Sequence, residues 1–326
     1  MKPSTAVVVG IVAALLFVSL AVYFTPSVSV LGNPDDFSPT NTAWNGLSTF
    51  VSVEKPTVMQ NLSSLSPVGT GFVLLEDGPS SPYTPAEGVG VSSFVRSGGT
   101  LILADDYGIG NTLLSGMGLS SRFTGSLLTD PLFNFRNSFL VVAPTVAMRN
   151  VSSLAFNYAT TLTVSDSGAQ VLGYSSDFSY LYPTQPGGSI ASAPHGPFPV
   201  LAEIPDGKGR VYLIADDSVF INSMIDKNGN AALLKDLSTG TMLLDTSHLS
   251  IGPGTVARNF ELSVYSTISI PEIRYSLVVV GLAGILAYRF GTKAGAAEEE
   301  LKAVLEEHPE WSEERLRKLK EEMDAR

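Results

Sequence analysis

The chain has 326 residues, of which 44% are apolar and 16% charged, with no cysteine and a formal net charge of −11. An acidic protein repels phosphate backbones, which argues against nucleic-acid binding. The missing thiols exclude disulfides, zinc–thiolate sites, iron–sulfur clusters and cysteine nucleophiles.

Taken in chain order, the first feature is Thr5–Phe24, uncharged throughout and preceded by Lys2. At 1.5 Å per residue it would span roughly 30 Å, a bilayer core. Its exit, Val22-Tyr23-Phe24-Thr25-Pro26, lacks a small-x-small cleavage site, so residues 1–25 read as an uncleaved anchor rather than a signal peptide.

Residues 26–249 read as an α/β domain. A first helix is expected over Ala43–Val51, then a buried-type strand Gly71–Leu75 ending at Glu76-Asp77-Gly78. Thr84-Pro85-Ala86-Glu87 is a capping box with proline at the first helical position, and its helix runs through Arg96 to Gly98-Gly99. The strand Thr100–Ala104 ends at Asp105-Asp106, and a short helix through Leu113 and Leu114 follows. Strands are expected at Phe139–Val142, Thr161–Val164 and Gln170–Tyr174, then a long loop over Pro183–Pro199. Asp206-Gly207 between the apolar runs Val200–Ile204 and Val211–Ala215 marks a hairpin. After Asp216-Asp217 come a helix through Phe220, Met224 and Ile225, a helix Ala231–Leu237, and a strand Met242–Leu244 leading to Asp245 and His248. Short apolar strands alternating with helices predict a three-layer α/β domain with a mainly parallel sheet, to which the hairpin adds an antiparallel element, and whose ligands bind beyond the carboxyl ends of the strands.

Residues 250–273 alternate polar and apolar at Phe260, Leu262 and Val264, consistent with a strand or stalk. Residues 274–291 read as a second transmembrane helix around Ser276–Tyr288, flanked by Arg274 and Arg289. Residues 292–326 read as a helical tail, broken at His308-Pro309 and restarted at Ser312. Lys2, Arg289 and Lys293 place both termini in the cytoplasm, and the main domain outside a two-pass cell-membrane protein. The sequons at Asn61 and Asn150 are candidate glycosylation sites on that side.

Two segments echo each other: LILADDYGIGN from Leu101 and YLIADDSVFIN from Tyr212. Each sets Ala-Asp-Asp at a strand end and an asparagine six residues after the first Asp. The candidate ligand-binding residues are therefore Asp105, Asp106, Asn111, Asp216, Asp217, Asn222, Asp245 and His248. Three readings stand: helix capping, a divalent-cation site, or a polar small-ligand or glycan site. No spacing identifies a metal. There is no G-x-S-x-G, no phosphate-binding P-loop, and no glycine fingerprint between a strand and a helix, so no catalytic residue and no cofactor is assigned.

The stretches Phe37–Ser48, Leu101–Leu114, Gly209–Met224 and Leu243–His248 together resemble an uncharacterised prokaryotic family, mainly archaeal. Its members are membrane-anchored and carry a class I glutamine amidotransferase-like domain of unknown function. The resemblance implies an amidotransferase-like, flavodoxin-like sheet between two transmembrane helices with an α-helical C-terminal tail. Related domains occur in auxiliary proteins of ABC-type transporters. Glutamine hydrolysis is not implied, because this chain has no Cys to serve as nucleophile. The functional expectation is a non-catalytic, membrane-anchored binding or scaffolding protein, with the tail meeting an unknown protein partner. The alternatives are a metal-dependent or hydrolytic surface enzyme, or a transporter's auxiliary subunit.

Overall fold

Val73–Leu75, Leu101–Ala104 and Val211–Ile214 are buried at every successive position. Neighbouring strand residues point to opposite faces, so unbroken burial means that both faces of the sheet are covered here. The computed structural model describes residues 35–183 and 192–252 and, with gaps before residue 266, residues 256–324. Eight strands form one sheet: β1 (Thr57–Met59), β2 (Phe72–Asp77), β3 (Thr100–Ala104), β4 (Thr145–Val146), β5 (Gln170–Tyr174), β6 (Pro199–Asp206), β7 (Gly209–Ile214) and β8 (Thr241–Asp245). Their order is β1-β8-β2-β3-β7-β6-β5-β4. The first five in that order pair in parallel; the last three join antiparallel. The expected α/β class holds, the hairpin β6–β7 adds the expected antiparallel element, and β5 and β4 extend it further into a mixed sheet.

Helices α1 (Ser48–Glu54), α2 (Pro85–Arg96), α3 (Asn111–Met117) and α4 (Asn230–Leu237) accompany it, with three two-stranded sheets. The capping box of α2 is formed on both sides: Thr84 Oγ1 accepts from the Glu87 N–H, and Glu87 Oε2 accepts from the Thr84 N–H. α2 packs on α3 with their backbones nearly touching. A Cβ added at Gly88 would lie 2.5 Å from the Gly116 Cα. At the β6–β7 turn Gly207 takes φ +62°, and Asp206 pairs with Arg96 at 2.9 Å. The expected helix through Phe220, Met224 and Ile225 is a single 3₁₀ turn, Asp217–Phe220, followed by turns. The Asp216 carboxylate and the Asn222 amide tie this segment to other parts of the chain, which suits turns better than a helix. Part of the expected loop, residues 184–191, lies outside the described residues.

The chain separates into two compact units, the larger spanning residues 32–256. In the other, α5 (Pro271–Glu307) and α6 (Glu313–Asp324) are joined across His308-Pro309, with Lys320 Nζ 2.9 Å from Glu300 Oε2. Among the described residues, no helix is long and apolar enough to cross a membrane. This corrects the second transmembrane helix, and with it the two-pass cell-membrane topology with cytoplasmic termini. The physical reason is length: the thirteen residues Ser276–Tyr288 make only about 20 Å of helix. α5 then runs on without a break into Glu298, Glu299, Glu300 and Lys302. The first expected span, Thr5–Phe24, lies outside the described residues. The strand expected near Phe260–Val264 is also corrected, since the described residues between 256 and 269 are helical. Val256, Phe260, Val264 and Ile268 recur every fourth residue, and that helical period prevails over the shorter alternation.

Candidate functional site

β8, β2, β3 and β7 are adjacent and parallel, so their carboxyl ends share one rim. β8 and β2 end in acids, Asp245 and Glu76-Asp77, and β3 and β7 run within two residues into Asp105-Asp106 and Asp216-Asp217. These acids share one rim but fall on two sides: Glu76 and Asp245 on one, Asp77, Asp106, Asp216 and Asp217 on the other.

On one side, Asp245 is held by the N–H of Ser247 at 3.1 Å, by the Ser247 hydroxyl at 2.8 Å and by His248 Nδ1 at 2.7 Å. Burial alone would raise the Asp245 pKa, but these contacts outweigh it and hold the group below the usual carboxylate value. The His248 ring stacks on Tyr83 with centroids 3.9 Å apart, and its Nε2 lies 3.6 Å from Glu87 Oε2. The Tyr83 hydroxyl donates to Glu76 Oε2 at 2.7 Å. Glu76 Oε1 is buried without a hydrogen-bond partner, and burial together with the Asp245 charge drives the Glu76 pKa well up.

Asp77 faces the other side. Both of its oxygens are buried and unpartnered, and burial, then the charges of Asp217 and Asp216, raise its pKa well above normal. Asp106 and Asp217 lie side by side, and Asp106 Oδ1 is buried without a hydrogen-bond partner. Burial, then the neighbouring Asp217 and Asp216 charges, push Asp106 up to about 9. Burial pushes Asp217 to about 6, opposed by its contacts with Asp106 and the Ser218 hydroxyl. Above this pair lies a cavity of about 230 Å³, walled in part by Asp36, Trp44, Asp106, Tyr107, Tyr158 and Asp217. Trp44, Tyr107 and Tyr158 are exposed, and none of the described lining residues is basic.

The first acid of each echo is structural. Asp105 accepts N–H bonds from Tyr107, Gly108 and Gly110, the last at 2.7 Å. Asp216, fully buried, accepts from Asn157 N–H at 2.5 Å and Ser218 N–H at 2.7 Å. The echoed asparagines are clamps. Asn111 bonds both backbone groups of Phe123 at 2.9 Å, and Asn222 joins Thr49 N–H to the carbonyls of Asn41 and Ala43. Of the eight sequence candidates, Asp106 and Asp217 meet at the cavity and Asp245 and His248 meet on the opposite side; Asp105, Asp216, Asn111 and Asn222 build the frame. Asn61 and Asn150 are exposed; Asn61 caps a 3₁₀ turn and Asn150 bonds Asp236. The sequence candidates omitted Glu76, Asp77, Tyr83, Glu87 and the three aromatic residues. A strand-end acid pair identical in kind to the echoed ones was the available signal for Glu76-Asp77; nothing local marked Trp44 or Tyr158.

A sequence-family comparison matches residues 39–237 to DUF4350, a domain of unknown function. No curated protein matches the chain. Among solved structures, the mmIFT52 N-terminal domain is similar at 16% identity and TM-score 0.42, over 56% of this chain and 82% of that one. A β-galactosidase from Bacillus circulans sp. alkalophilus is similar at 15% identity and TM-score 0.31, over 51% of this chain and 22% of that one. A putative ThuA-like protein from Bacteroides uniformis is similar at 12% identity and TM-score 0.32, over 56% of this chain and 74% of that one. This chain thus spans under a quarter of the β-galactosidase. None of the comparisons supports the expected amidotransferase likeness, which is corrected to membership of an uncharacterised family.

Proposed function

This chain belongs to the DUF4350 family, a domain of unknown function, and on that premise we propose from the site's own geometry that it is a binding module for a small organic cation. The ligand class is an amine or quaternary ammonium group entering the cavity over Asp106 and Asp217. The observation that carries this reading is that Asp106 and Asp217 line one cavity with three exposed aromatic residues, and that none of the described lining residues is basic. Buried carboxylates need a counter-charge, and Trp and Tyr faces attract cations within about 6 Å. A volume of about 230 Å³ suits a head group rather than a drug-sized molecule.

Calorimetric titration with tetramethylammonium, ethanolamine and putrescine tests the reading. One of them should bind at one equivalent per chain, and the double variant Asp106→Asn/Asp217→Asn should not bind it. A Trp311→Phe variant leaves Trp44 as the sole tryptophan, and its fluorescence should change on binding. Absence of binding by all three cations, or equal binding of a neutral sugar, overturns the reading.

The same pair supports a second reading. Around neutral pH, one protonated and one ionised carboxyl in contact is the state of an acid–base dyad. Hydrolysis of a glycoside or ester by the wild type, lost in both single Asn variants, would put catalysis in place of binding.

A further inference from the structure

On the opposite side of the rim, the geometry points to a second site: we propose that Glu76, Asp245 and His248 hold a divalent transition-metal ion. Each offers one ligand atom, and these atoms lie within 4.8 Å of one another. The residues come from the end of β2, the end of β8 and the turn just after it, and all three are at most 6% exposed. Glu76 Oε1 is the independent sign of a missing partner, because it is a buried carboxylate oxygen with no donor.

One imidazole nitrogen with two carboxylate oxygens is a donor set for zinc, manganese, iron or cobalt; calcium and magnesium favour all-oxygen shells. Three protein ligands also leave a position open for water or a ligand atom.

The surroundings fit this assignment. A metal-bound histidine commonly gives its other ring N–H to a carboxylate, which fixes its tautomer and ring orientation. His248 Nε2 faces Glu87 Oε2 at 3.6 Å, and that oxygen is itself held by the Thr84 N–H and hydroxyl, each at 2.7 Å. Nδ1 now contacts Asp245 at 2.7 Å, a hydrogen bond that the ion would replace. Ser247 steadies Asp245, Tyr83 steadies Glu76, and the Tyr83 ring lies against the imidazole. Each ligand is therefore oriented by a neighbour that is not a ligand. This site shares no residue with the cavity over Asp106 and Asp217, so either reading stands or falls alone.

Cobalt(II), added to the metal-stripped full chain, is the probe. The expected result is one equivalent bound, with visible ligand-field bands and one hyperfine-shifted exchangeable imidazole proton in the NMR spectrum. Glu76→Gln and His248→Gln should each abolish both signals, whereas His195→Gln and His308→Gln should keep them. Glu87→Gln, a positioning variant, should weaken binding about 10–100-fold while the bands remain at saturation. The wild-type spectrum needs no variant to fold: cobalt bound without a shifted imidazole proton, or no stoichiometric binding, overturns the proposal. So does binding that survives His248→Gln unchanged, which would move the metal to another set of acids.

Discussion

Glu76 and Asp77 are consecutive residues of β2, yet they enter different chemistry. The Glu76 side is better supplied with donors: Tyr83 serves one oxygen of Glu76, while Ser247 and His248 serve Asp245. The Asp77 side has carboxyl facing carboxyl, with Asp77, Asp106, Asp216 and Asp217 in one another's fields. Only Asp216 there is fully met, by two backbone N–H groups. Among acids at one rim, those satisfied by backbone donors hold the fold, and those left facing each other are available to a ligand. The echoed motifs show the same division within each pair, since Asp105 and Asp216 anchor turns whereas Asp106 and Asp217 meet.

The largest expected effect is on pH dependence. Asp217 at about 6 and Asp106 at about 9 both lie above the unfolded value of ~3.9. Folding therefore takes up protons. The stability these groups contribute is fully present below about pH 4 and is lost as pH rises through the two folded values. Asp77, Glu76 and Asp216, also raised, add to the slope in the same direction. Urea unfolding at pH 5, 7.5 and 9.5 should show a steady decline, much flatter in Asp106→Asn/Asp217→Asn. A wild-type profile that is level or rising over this range would erase the contrast between the two sides.

Next in size is Asp216→Ala, which strands the backbone N–H groups of Asn157 and Ser218 and should cost about 2–4 kcal/mol in denaturant titrations. Asp217→Ala removes a carboxyl that repels its neighbours and should cost under ~1 kcal/mol at pH 8. Equal losses for the two would mean that both are anchors. On the other side, Thr84→Ala removes the α2 cap and should cost about 1 kcal/mol. Because the same threonine holds Glu87, that variant should also weaken cobalt binding. A loss of stability with no change in cobalt affinity would separate the cap from the histidine.

Much of the larger unit was legible because its signals are local. The capping box at Thr84, the hairpin at Asp206-Gly207, and the apolar runs that became β2, β3, β7 and β8 each carry their own cue in a few residues. The antiparallel extension through β5 and β4 was not legible, since pairing depends on contacts across the chain. The strand-end acids were visible as a set, because every parallel strand must turn at its carboxyl end and acids suit that turn. Which acid met which was hidden, because it depends on strand order and on the alternation of faces. Composition misled in the C-terminal part: apolar Ser276–Tyr288 suggested a span, but its helix continues directly into a charged stretch.

The adjacency of Glu76 and Asp77 restricts how this protein can change over generations. Adding or deleting one residue within β2 would turn every side chain beyond that point to the opposite face. Glu76 would leave Asp245 and His248 in the same event that removed Asp77 from Asp216 and Asp217. The two sides can diverge by point substitution but not by indels in this strand, so length variation among descendants should collect in the loops and spare Phe72–Asp77.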